Sequence, residues 1–117
     1  MPDRRPNDAL PLGVATFHIL LALAGGDRHG YAIGKEVEDQ TDGTVKLGPG
    51  TLYRLLKALT DDGWIVEVEM ADEEHERRRT YRLSARGRAI AQAEARRLDA
   101  LVAVARSRRL LPALAVR

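Results

Sequence analysis

At 117 residues the chain has the length of one domain, and the lack of cysteine excludes disulfides, thiolate metal sites and cysteine nucleophiles. Net charge is only +2 but unevenly spread: residues 61–76 carry eight acids and no Lys or Arg, while residues 77–117 carry twelve Arg against Glu94 and Asp99. That asymmetry points to a polyanionic partner or to internal charge pairing, and no apolar run approaches the roughly 20 residues needed to span a bilayer.

Residues 1–10 mix Pro, Asp, Arg and Asn and read as a loose arm. The most apolar stretch follows, LGVATFHILLALA over 12–24. Asp8 and Pro11 precede it and no small-residue cleavage site follows, so it does not read as a signal peptide, and the chain is expected to be soluble and cytoplasmic. As a helix it is apolar on two sides, with Val14, Phe17 and Leu21 on one and Ile19 and Leu23 on the other. A single-faced surface helix has one stripe, so this one needs two partners. His18 reads as a packed, hydrogen-bonded core residue, and Gly25-Gly26 ends the helix.

A second, short helix is expected over Tyr31–Gln40, with Ile33 and Val37 facing inward, Gly34 permitting close packing and His29 placed to cap it. Asp42-Gly43 marks a turn, and Thr44–Leu47 is short and strand-like. Gly48-Pro49-Gly50-Thr51 opens a third helix, expected over 49–62 with Pro at its first position and Gly63 beyond its end. Leu52, Leu55, Leu56 and Leu59 fall in one arc and form its core face. Arg54, Lys57 and Asp61 stand opposite, flanked by Thr51 and Tyr53.

The period then changes. Residues 64–69, WIVEVE, alternate apolar with acidic as a half-buried strand does. A polar tip over 71–77 and a return strand over Thr80–Leu83 complete a hairpin. Ser84 is a natural N-cap for a long Ala- and Arg-rich helix reaching about Arg109. Its stripe of Ala91, Ala95, Leu98, Leu101, Val102 and Ala105 has little in the chain to cover it except the first helix. A second copy is the expected cover, meeting this stripe together with Phe17, Leu20 and Leu21.

Three short helices, a polar-tipped hairpin and a long helix describe an α+β, mainly α, winged helix-turn-helix with a C-terminal dimerisation helix. The expected division is an N-terminal arm over 1–10, a winged-helix domain over 11–84 with its hairpin at 64–83, a dimerisation helix over 85–111 and a tail over 112–117. In such a fold the third helix enters the major groove with its exposed N-terminal half. Thr51 and Arg54 are placed for base edges, Arg bonding guanine O6 and N7 together. Lys57 is placed for phosphate and Tyr53 for backbone or a thymine methyl; an ordinary solvated helix face is the alternative. Arg77, Arg78, Arg79 and Arg82 suit phosphate or a narrow minor groove, or equally pairing with Glu67, Glu69, Glu73, Glu74 and Glu76 across the hairpin.

The remaining chemistry is sparse. His18, His29 and His75 match no zinc spacing, and Gly48-Pro49-Gly50 lacks the Lys-Ser or Lys-Thr of a phosphate cradle. No metal, cofactor or enzymatic activity is expected.

Three segments, HGYAIGKEVEDQT, LGPGTLYRLLKALTDDGWI and RRRTYRLSARGRA, closely resemble the PadR-like transcriptional regulators, and the resemblance runs from about Leu12 to Leu111. It implies a winged-helix homodimer joined by its C-terminal helix to the partner's first helix. It also implies repression at a pseudo-palindromic operator, with release by a small-molecule effector. It maps Tyr31, Thr51, Leu52, Tyr53 and the wing arginines onto the DNA-reading region. Relatives often carry Pro at the place of Arg54, so the base contact there rests on helix geometry. Some bind flat drugs between dimer helices lined with aromatics, whereas residues 85–117 contain no aromatic. Two rival readings are a winged-helix protein–protein adaptor and an effector sensor.

Overall fold

The computed structural model describes residues 5–68 and 79–115. A 3-10 turn over Pro6–Ala9 leads to α1 (Val14–Ala24), β1 (Arg28–His29), α2 (Gly30–Gln40), α3 (Pro49–Asp61), β2 (Ile65–Val68), β3 (Thr80–Leu83) and α4 (Ala85–Ser107). The three strands form one antiparallel sheet in the order β1-β3-β2. This is a winged helix-turn-helix, mainly helical with a small sheet. No described helix is long and apolar enough to cross a membrane.

Each boundary has a local cause. Gly25 is the C-cap of α1 and Gly26 takes φ 141, outside the range open to most side chains. Asp62 is the C-cap of α3, and Gly63 follows at φ 78, the left-handed C′ position that glycine adopts without penalty. Ser84 caps α4, its Oγ accepting from the Gly87 N–H at 3.0 Å while its hydroxyl donates to the Gly63 carbonyl at 2.6 Å.

The core gathers Ile19, Leu20 and Leu23 of α1, Ile33 and Val37 of α2, Leu52, Leu56 and Leu59 of α3, Ile65, Tyr81 and Leu83 of the sheet, and Ile90 and Ala91 of α4. Full burial of such a side chain stabilises by about 1.5–3 kcal/mol. Leu55 packs against this cluster from a partly buried position.

Four expectations change. The strand expected at Thr44–Leu47 does not form. Its backbone is held instead by Thr41, whose Oγ1 accepts from the Val45 N–H at 3.0 Å, while Val45 and Leu47 pack against the core. The third strand is Arg28–His29, two polar residues too short to display any period. Within the arm expected to be loose over 1–10, the 3-10 turn Pro6–Ala9 packs on α4, and just beyond the arm the Leu12 N–H donates to Glu94 Oε2 at 3.0 Å. His29 makes no capping bond to α2, because its Nδ1 faces Thr80 Oγ1 at 2.9 Å across the β1–β3 pair. His18 is partly buried, and its buried Nδ1 lacks a partner among the described residues, unlike the hydrogen-bonded histidine expected.

The stripe of α4 divides in two. Gly87, Ile90, Ala91, Ala93 and Glu94 are buried in the protomer's own core. The first half of the helix therefore packs into the same core as α1–α3 and the sheet. Ala91 and Leu20, expected in a dimer contact, are 8% and 0% exposed and are already covered. Beyond Glu94 the helix runs clear of the core: Leu101 is 53% exposed and Val102 40%, with Leu98 and Ala105 partly buried.

Candidate nucleic-acid interface

The exposed face of α3 is built by what its opposite face buries. Leu52, Leu56 and Leu59 recur at the spacing that puts them on one side. That leaves Thr51, Tyr53, Arg54 and Lys57 exposed. Leu52, assigned by resemblance to the DNA-reading region, is a correction: at 4% exposure it packs inward and fixes the helix rather than meeting DNA. A Cβ on Gly34 would come 3.1 Å from Leu52 Cδ2. The small residue is what lets α2 approach α3 so closely.

Tyr53 is exposed on one side and packed on the other, its ring lying over the start of α2. A Cβ on Gly30 would come 2.9 Å from Tyr53 Cε1, so a larger residue there would push the ring away. Tyr31, one residue along α2, is 73% exposed. The HGY tripeptide thus serves three ends: His29 joins the sheet, Gly30 receives Tyr53, and Tyr31 stands in solvent beside the α3 face.

Lys57 Nζ lies 3.1 Å from Asp61 Oδ2, one turn along α3. Arg54 joins none of the ion pairs among the described residues. An unpaired guanidinium on the outward face of a helix's N-terminal half is well placed to meet an acceptor brought by a partner.

Of the wing arginines, Arg77 and Arg78 lie outside the described residues, as do Glu69, Glu73, Glu74, His75 and Glu76. Arg79 pairs with Glu67 at 3.3 Å, the cross-hairpin pairing that the sequence left open. Arg82 pairs with an acid outside the hairpin. Its Nε and Nη2 both donate to the Asp27 carboxylate, at 3.1 and 2.8 Å, and tie β3 to the turn before β1. Hydrogen bonding to Arg82 holds the Asp27 carboxyl below its usual range, and the same bond raises the Arg82 guanidinium. Arg82 is therefore a brace for the base of the wing. No signal within 27–29 marks this pairing, since nothing in a sequence places a loop acid opposite a strand 55 residues away.

Between α3 and the sheet runs an open groove of about 460 Å³, lined by Tyr53, Lys57, Thr60, Asp61, Glu67, Arg79 and Tyr81. Burial, and after it the Glu67 carboxylate, raises the Tyr81 hydroxyl above its ordinary range. Among the described residues, no three His, Asp or Glu side chains are grouped to hold a metal ion.

Comparison with known proteins agrees with this geometry. The profile of the transcriptional regulator PadR-like family matches residues 19–93. A transcriptional regulator from Clostridium thermocellum is 28% identical, with a TM-score of 0.63 over 80% of this chain and 90% of that one. A PadR family transcription regulator from Clostridium difficile has a TM-score of 0.68 at 23% identity, covering 81% of this chain and 97% of the other. Bacillus subtilis PadR, solved in complex with operator DNA, has a TM-score of 0.60 at 24% identity over 68% of this chain and 46% of its own. These last two likenesses are ones of fold. No curated protein sequence matches the chain. With the matched segment spanning α2, α3, the sheet and the buried half of α4, the chain belongs to the PadR-like family of transcriptional regulators.

Proposed function

We propose that the protein is a homodimeric repressor that binds a pseudo-palindromic operator through α3, each protomer reading one half-site. The observation that carries this reading is the outward face of α3. Thr51, Tyr53, Arg54 and Lys57 stand exposed on a helix anchored from behind by Leu52, Leu56 and Leu59. That is the geometry by which the second helix of a helix-turn-helix reaches base edges. Thr51 and Arg54 read bases, Lys57 and Tyr53 hold backbone, and Tyr31 adds a contact from α2. A relative solved with operator DNA supports the same use of the fold.

The dimer reading rests on exposed apolar surface. Leu101 and Val102 on α4 and Leu21 on α1 are exposed, and with the partly buried Leu98, Ala105 and Phe17 beside them they offer a two-helix apolar face that a monomer has no use for. Ala95 lies on its edge. A second copy related by a twofold axis would lay its α1 across this α4 and receive the reciprocal contact. Release from DNA by a small-molecule effector is what the family resemblance implies for this reading.

The test is fluorescence anisotropy with DNA from upstream of the protein's own gene against scrambled DNA, across a salt series. Preference for the upstream fragment by a dimer, with a steep salt slope, is the expected result. Weak and equal binding to both would turn the reading toward a protein–protein adaptor.

A further inference from the structure

Two ion pairs stand together in the groove between α3 and the base of the wing. Lys57 pairs with Asp61 at 3.1 Å on the helix, and Arg79 pairs with Glu67 at 3.3 Å on the hairpin. None of the four side chains is sequestered: exposures run from 45% at Glu67 to 78% at Lys57. With a duplex seated on α3, these exposed cations on the helix and at the base of the wing are the ones its phosphates would meet. Each already has a carboxylate within reach. A phosphate approaching Lys57 or Arg79 must replace that carboxylate, and meets its repulsion while doing so.

We propose that Asp61 and Glu67 are internal competitors of DNA phosphate, holding Lys57 and Arg79 in the free protein and so weakening sequence-independent binding. The proposal rests on α3 being the DNA-reading helix. Binding to DNA of any sequence is almost wholly electrostatic, so a carboxylate beside each backbone-facing cation subtracts from that component first. Base contacts by Thr51 and Arg54 are less affected, because Arg54 has no such acid among the described residues. Specificity is a difference between two affinities, and lowering the unspecific one widens it. The two acids then act as specificity-determining residues without touching a base.

The experiment measures anisotropy of a scrambled duplex with Asp61→Asn and Glu67→Gln at one fixed salt concentration. Asp62→Asn is the control: it removes the same charge one residue away, from a side chain lining a different groove beside Trp64 and Leu12. Asp61→Asn and Glu67→Gln are expected to tighten scrambled-DNA binding by about two- to fivefold relative to that control, the range that an exposed ion pair spans. In a Lys57→Gln background the Asp61→Asn gain should vanish. Gains no larger than that of Asp62→Asn, or a gain surviving without Lys57, would overturn the proposal in favour of a general effect of net charge. If wild-type protein shows no salt-dependent binding to any DNA, the parent reading fails and takes the proposal with it.

Discussion

A Cβ placed on Gly87 would sit 1.9 Å from the carbonyl oxygen of Trp64, closer than any real pair of such atoms. The first turn of α4 thus lies directly on the entry to β2. Ser84 completes the joint, its N–H donating to the Trp64 carbonyl at 3.1 Å while its hydroxyl is shared between the Gly63 and Trp64 carbonyls at 2.6 and 2.9 Å. Two segments about 20 residues apart, Gly-Trp-Ile and Leu-Ser-Ala-Arg-Gly, meet at one peptide group. This joint sets the angle of the wing to the last helix.

Gly87→Ala should therefore destabilise the protein by about 1–3 kcal/mol, the range for overpacking. The value should fall at the upper end, because the obstructing atom is backbone and has no rotamer to escape into. Urea denaturation followed by circular dichroism would show a lower midpoint at unchanged slope. A midpoint within error of wild type would mean that α4 can rise off the sheet freely.

Glu94 offers a second measurable anchor. It is 2% exposed and accepts from Leu12 N–H and from both Nε and Nη2 of Arg97. The Arg97 hydrogen bonds hold its carboxyl below the usual value of 4.5. A carboxyl with a depressed folded-state pKa adds stability above its unfolded pKa and loses it as the pH falls through the folded value. Glu94→Gln should cost about 1–3 kcal/mol at pH 7, part of the pair being open to solvent at Arg97. The gap to wild type should narrow steadily below pH 4.5. Parallel melting curves for the two proteins between pH 7 and pH 3 would refute this role.

The sequence carried most of this architecture because each element has its own punctuation. Gly63 and Ser84 lie at the ends of helices whose apolar spacing is regular, and the structure begins and ends those helices within two residues of the expected points. What was illegible depends on long-range contact. Arg28–His29 has too few residues to show alternation and becomes a strand only because β3 is there to pair with. Asp27 finds Arg82, and Glu94 finds Leu12, across 55 and 82 residues. Periodicity placed Leu52 on the core face while resemblance placed it among DNA-reading residues, and the structure sides with periodicity. The α4 stripe looked uniform because spacing cannot say where a protomer's own core stops. That point is Glu94.

Arg54 and Lys57 should fail differently. Arg54→Ala is expected to cost about 1–3 kcal/mol on operator DNA and much less on scrambled DNA, as loss of a bidentate base contact does. Lys57→Ala should weaken both alike and lower the salt slope by about one unit. Its cost should be the smaller, since part of the Lys57 charge is already satisfied by Asp61. Equal losses on both DNAs for Arg54→Ala would reassign it to phosphate.

The far half of α4 provides the last prediction. Val102 is 40% exposed and Leu98 partly buried, and neither belongs to the protomer's core cluster. A glutamate at either place is tolerable to an isolated protomer, whose own helix contacts end near Glu94. In a dimer the same carboxylate would be trapped between apolar helices, where an unpaired charge is strongly unfavourable. Leu98→Glu and Val102→Glu should thus shift the mass seen by light scattering from dimer to monomer while keeping the helical circular dichroism of the winged domain. Operator affinity should fall with them, because each half-site would then be bound alone. Retention of the dimer mass in both variants would remove the far half of α4 from the interface and leave the exposed α1 surface at Val14 and Leu21 to probe.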